Sequence, residues 1–113
     1  MYDLDHFIPW SFVSHDLLWN LIPADPSINS SKSNKLPDLN LYLPKLAVAH
    51  QAALRINLEK GKQEKLLEDY LSLGYTPQEI VAMDRERLLD CFSQTFTPMH
   101  QIALNMGFEI WKY

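Results

Sequence analysis

The 113-residue chain is poor in cysteine, in long apolar runs and in positive charge. Its single cysteine, Cys91, can form neither an internal disulfide nor a cysteine zinc cluster. A reducing compartment follows by default, and a cytoplasmic location is expected. No apolar run approaches the ~18 residues that span a bilayer, so no membrane partner is expected. The opening Met1-Tyr2-Asp3-Leu4-Asp5-His6 lacks a basic stretch leading into an apolar one and does not read as a signal peptide. Lysine and arginine number 10 against 14 acidic side chains, a net charge of −4. Charge alone therefore nominates no nucleic-acid binder, and such a reading must come from a site.

What is present is an ordinary soluble composition, 47% apolar and 21% charged, of a length suited to one domain. Disorder and low-complexity architecture are excluded as defaults. The charge is uneven. Residues 1–65 carry seven acidic and seven basic side chains, so residues 66–113 hold the whole deficit.

Residues 2–6 read as the end of a strand and 17–22 as a buried strand closed by Pro23. Residues 9–16 read as a long loop. Asp25-Pro26 signals the start of a short helix, ended before Pro37. From Pro44 the period is helical, with Leu46, Ala47, His50, Ala53, Leu54, Asn57 and Leu58 on one face up to Gly61. A second helix is expected over 62–73, stopped by Gly74. Thr76-Pro77-Gln78-Glu79 is a capping box opening a third helix through Ile80, Met83, Leu88 and Phe92. Thr97-Pro98 signals a fourth, ended by Gly107, and 108–113 reads as a strand or an extended docking tail. The fold class expected is α+β.

The chemistry is concentrated in 3–37. Asp5 and His6 are adjacent on a strand, and at a strand end both can serve one pocket. A carboxylate is a hard ligand suited to Mg²⁺, and a neutral imidazole is a suitable general base for water. Asn29 offers a neutral oxygen to the same cation. Lys32, one turn on, shares its helix face and can neutralise a phosphate. Taken singly, each feature has a plainer reading. An Asp-His pair is more often a surface or turn pair. Asn20 fits a buried amide that satisfies loop backbone, and Asn29 and Lys32 fit a solvated helix face.

Together they form a pattern. Asp5-His6-x-x-Pro9-x-Ser11-Phe12 is followed by Asn20, fourteen residues after His6, and by Asn29-x-x-Lys32-Ser33-Asn34, nine residues further on. This pattern resembles the HNH endonuclease domain with its ββα-metal finger. It is closest to the branch that contains the HNH domain of RNA-guided CRISPR type II effector nucleases and related stand-alone HNH proteins. The resemblance covers residues 3–37 and implies a finger over 1–37 packed on a helical region over 38–113, one domain overall. It implies Asp5 and Asn29 as metal ligands and His6 as the general base. Asn20, the central Asn, would hold the loop and the His6 ring. Lys32 would lie near the scissile phosphate, with Ser33 and Lys35 touching the backbone. Both ligands are oxygens, so Mg²⁺ is the expected ion and Mn²⁺ fits the same shell.

The function implied is metal-dependent hydrolysis of DNA phosphodiesters by a one-metal, His-general-base mechanism. The partner is nucleic acid, DNA in the first instance. The alternative is a non-catalytic HNH-like fragment that binds nucleic acid or acts as a dimerisation scaffold. A homodimer or a missing N-terminal partner region would then complete it. Outside the motif, Trp10, Phe12 and His15 are expected to fold the loop over the site. His50 is expected to be a packed, hydrogen-bonded histidine and Cys91 a small core residue. Glu64, Glu68 and Asp69 read as a solvated face, and Lys45, Arg55, Lys60, Lys62 and Lys65 as solvated or DNA-facing cations.

Overall fold

The computed structural model describes residues 3–9, 13, 17–24, 35–60 and 64–111, with backbone alone at 3–5, 18, 22–24 and 64–67. The short helix expected after Asp25 lies outside the described residues.

Strand β1 (Asp3–His6) pairs antiparallel with β2 (Leu21–Ala24), Asp5 opposite Ile22 and His6 opposite Leu21. The strand expected over 17–22 is displaced. Leu18–Asn20 is a 3₁₀ turn, and the strand runs on through Pro23. The ladder shows why a proline is tolerated there. The Phe7 N–H donates to Asn20 O at 2.7 Å, which continues the register by one pair. Alternation then makes Asp5/Ile22 a hydrogen-bonded pair, and leaves His6/Leu21 and Leu4/Pro23 as non-hydrogen-bonded pairs. At Pro23 the missing N–H would have pointed away from β1, so the ladder loses nothing.

Helix α1 (Leu39–Glu59) starts earlier than its sequence pattern indicates, with Pro44 inside it. The start is set by Asp38, whose side chain accepts the Asn40 N–H at 3.0 Å. Helix α2 (Glu64–Leu71) is followed by Gly74 at φ 93°, a conformation that favours glycine. Helix α3 (Pro77–Ala82) carries the expected capping box, with Glu79 N–H on Thr76 Oγ1 at 3.1 Å and Thr76 N–H on Glu79 Oε1 at 2.9 Å.

The third helix does not continue to Phe92. Met83 is extended and Asp84 caps a new helix, α4 (Arg85–Asn105), by accepting the Arg87 N–H at 2.9 Å. The carbonyls freed at the break are taken by Gln51 of α1, whose Nε2 donates to Ile80 O at 3.0 Å and Met83 O at 2.9 Å. Nor does Thr97-Pro98 open a helix, for Pro98 lies inside α4. Both residues are exposed, while Leu88, Cys91, Phe92, Phe96, His100 and Ala103 form a buried stripe. Burial of that stripe outweighs the one backbone bond a proline removes. Helix α4 ends before Gly107 at φ 100°.

Phe96 is the meeting point of strands and helices. It meets Phe7 edge-on at 5.2 Å and Trp19 at 5.3 Å, and stacks on Phe92 at 6.1 Å. One buried cluster thus runs from Phe7, Ile8 and Trp19 through Leu36 into α1 and α4. The tail returns to the chain just before α1, where Ile110 bridges Leu36 in parallel, and Trp111 is buried. Among the described residues no helix is long and apolar enough to cross a membrane.

Candidate active site

The site is built around the end of β1. His6 is its last residue and is half-buried. Immediately beyond it, Phe7 and Ile8 turn into the core, 4% and 0% exposed. Two large apolar side chains therefore hold the backbone that carries the imidazole.

Asn20, the last residue of the 3₁₀ turn that leads into β2, closes the same corner. It is fully buried, and its amide is satisfied on both ends by one residue. Ile8 N–H donates to Asn20 Oδ1 at 2.8 Å, and Asn20 Nδ2 donates to Ile8 O at 2.9 Å. Its own backbone carbonyl accepts Phe7 N–H, and its N–H donates to Leu17 O at 3.0 Å. A side-chain amide that mimics a paired strand in this way pins the chain at 7–8 to the chain at 20. The neighbouring Trp19 is 3% exposed and donates from Nε1 to Ser72 Oγ at 2.7 Å, which ties the turn to the segment after α2.

Leu21, opposite His6, is held by a further group. Its carbonyl accepts from His50 Nε2 at 2.9 Å. A carbonyl can only accept, so the ring carries its proton on Nε2 and its Nδ1 accepts from the Tyr70 hydroxyl. Burial pushes the His50 imidazole down to about 4, partly opposed by the Leu21 carbonyl. Burial, reinforced by the Asp69 carboxylate, pushes the Tyr70 hydroxyl well above its ordinary value. Both groups are therefore neutral at pH 7. His50 is the packed, hydrogen-bonded histidine expected, but its bond to the hairpin was not foreseen. The only signal was its polarity on an apolar helix face.

The other candidates are distributed as follows. Of Asp5 the backbone is described, one residue before His6 in β1. Asn29, Lys32 and Ser33 lie outside the described residues, as do Trp10, Phe12 and His15. Lys35 is exposed and lines an open cavity of about 510 Å³ together with Leu104, Phe108, Glu109 and Ile110. Among the described residues no group of three or more His, Cys, Asp or Glu is placed to hold a metal ion. Cys91 is 2% exposed and burial pushes its thiol up to about 11, so it is no nucleophile at neutral pH. Lys45, Arg55 and Lys60 are exposed, as is Glu68; Asp69 is half-buried.

The corner that holds His6 and Asn20 lies within the part of the chain that matches a protein-family model. Residues 1–38 match the family model of the HNH endonucleases. The HNH match spans about a third of the chain and contains Asp5, His6, Asn20, Asn29, Lys32, Ser33 and Lys35. It reaches the nuclease family as a whole and does not single out the RNA-guided effector branch. No curated protein and no solved structure matches the chain.

Proposed function

We propose that the protein is an HNH-type endonuclease that hydrolyses DNA phosphodiester bonds. The observation that carries this reading is the HNH match over the residues that form the His6–Asn20 corner. A loop clasped at both ends of a buried amide serves a site that needs one imidazole held still.

In this mechanism His6, neutral, accepts a proton from the attacking water as its oxygen bonds to phosphorus. The phosphorus–oxygen bond to the 3′ oxygen breaks, and the departing alkoxide takes a proton from water. Asn20 acts on the backbone of Phe7 and Ile8 and so on the direction of the His6 ring. Lys32 balances the charge that builds on the phosphoryl oxygens, and Ser33 and Lys35 approach the flanking backbone. Asp5 and Asn29 supply a carboxylate and an amide oxygen, a hard, all-oxygen donor set that suits Mg²⁺ or Mn²⁺. Such an ion, when bound, stabilises charge developing on the phosphodiester oxygens. The resemblance to the RNA-guided effector branch supports the same assignments without adding a guide or a sequence preference.

Plasmid nicking with Mg²⁺ or Mn²⁺ tests the reading. The native chain is expected to convert supercoiled to nicked DNA, and EDTA to abolish it. His6→Ala is expected to lower the rate about a hundredfold or more while the chain stays folded. A metal-loaded native chain that cuts neither plasmid nor single strands refutes the nuclease, and leaves the HNH segment as a binding or dimerisation scaffold.

A further inference from the structure

The hydrogen-bonding phase of the hairpin raises a question about Leu21. In the His6/Leu21 non-hydrogen-bonded pair, both backbones turn their N–H and C=O groups away from each other. The Leu21 carbonyl is thus an outward acceptor on the edge of a two-stranded sheet. Water would satisfy it at no structural expense. Instead α1 delivers a histidine to it, on a ring that is only 9% exposed.

That histidine is an expensive way to fill the space. Its neighbours on α1 are Leu46, Ala47 and Leu54, all buried, and the Phe92 ring lies 6.0 Å away. A leucine would fill such a position without desolvating two ring nitrogens. What the imidazole adds is a directed line from the Tyr70 hydroxyl through Nδ1 and Nε2–H to the Leu21 carbonyl. The line joins α2, α1 and β2. Its end point is the one residue of β2 whose side chain shares a face with His6 in direct cross-strand register. Asn20 holds His6 from its own strand, through Phe7 and Ile8, and His50 holds the opposite strand.

We infer that His50 and Tyr70 form a positioning pair that holds β2 at Leu21 and thereby sets the placement of the His6 imidazole for proton transfer, an inference that rests on the nuclease reading for its catalytic half. Neither residue touches substrate. The pair acts through the backbone, so its loss changes the geometry of proton transfer rather than the grip on DNA.

The test uses the full chain with His50→Leu, His50→Gln and Tyr70→Phe. Glutamine retains an N–H donor for Leu21 and an acceptor for Tyr70; leucine retains neither. Two readouts are taken at a temperature where every variant is folded. The first is amide hydrogen exchange at Phe7 and Ile8, compared with Leu88 and Phe92 in α4. The second is the kcat and KM of Mg²⁺-dependent plasmid nicking. His50→Leu is expected to speed exchange at Phe7 and Ile8 about tenfold while α4 is unchanged. It is also expected to lower kcat about tenfold or more with KM within about twofold. His50→Gln should recover most of both losses, and Tyr70→Phe should fall between. A kcat equal to that of the native chain in His50→Leu overturns the positioning role. So does a loss of protection shared equally by the hairpin and α4, the mark of a merely structural core residue. If the native chain does not nick DNA, the nuclease reading fails and exchange alone decides the clamp. Loosening confined to Phe7 and Ile8 then upholds it, and unchanged exchange overturns it.

Discussion

Two buried polar side chains fasten the hairpin: Asn20 closes it on itself at Ile8, and His50 ties it to the helices at Leu21. Each is placed where every polar atom has a partner, and among the described residues no buried side-chain nitrogen or oxygen lacks one. The resemblance assigned Asn20 a supporting role, and the residue-level alternative of a buried amide satisfying loop backbone describes the same contacts. His50 carries a measurable consequence. Its unfolded ring takes a proton near 6.5, whereas burial delays protonation in the folded chain to about 4. Between those values the unfolded chain binds more protons, so folding stability falls as pH drops from about 6.5 towards 4 and is unaffected above that window. The contribution is of the order of 3 kcal/mol. Urea denaturation of the native chain and His50→Leu across this range should show the native chain losing that much more. Parallel pH curves for the two would mean that the buried ring does not resist protonation.

At the scale of the element, local signals and tertiary packing divide the outcome. The Thr76–Glu79 capping box and the glycines at 74 and 107 act where the sequence places them, because each satisfies or releases backbone groups within one turn. Prolines mislead. Pro44 and Pro98 read as helix starts, yet both sit inside helices whose buried stripes run past them. Asp84 worked in the other direction: it divides an apparently continuous helix, by capping α4 while Gln51 closes α3. Pro98 is exposed and packs no core, so its ring only removes a bond to the Gln94 carbonyl. Pro98→Ala is therefore expected to raise stability by about 1–3 kcal/mol, read as a higher thermal midpoint. A lower midpoint would show that the ring contributes packing that its exposure conceals.

In the whole molecule the buried apolar residues described in the HNH segment, Phe7, Ile8, Trp19 and Leu36, share one core with helices far along the chain. Phe7 and Trp19 meet Phe96, and Leu36 is fastened by the tail. Leu36 N–H donates to Glu109 O at 2.8 Å and Leu36 O accepts Trp111 N–H at 2.7 Å. His100 Nε2 donates to Pro37 O at 2.7 Å, so α4 and the tail together hold the exit from the segment that contains Asn29 and Lys32. A chain ended after Phe108 loses both Leu36 bonds and the burial of Trp111, which is 7% exposed and 5.9 Å from the Tyr42 ring. Its stability is expected to fall by about 3–5 kcal/mol in urea denaturation, the range for deleting a buried aromatic. An unchanged midpoint would show that the tail is not part of the core.

Legible along the chain were the spaced motif from Asp5 to Lys35, the first strand, the helical period after Pro44 and the main turn glycines. Each of these is local: a spacing along the chain, a cap within one turn, a period of 3.6 residues. Packing across the molecule set where α3 yields to α4, where the second strand starts and why Pro23 can lie in it, and which distant groups hold the hairpin. Leu21 and His50 lie 29 residues apart in sequence, and His100 and Pro37 lie 63 apart. Contacts at such separations leave no periodic trace, because a polar residue on an apolar face looks the same whatever carbonyl it reaches.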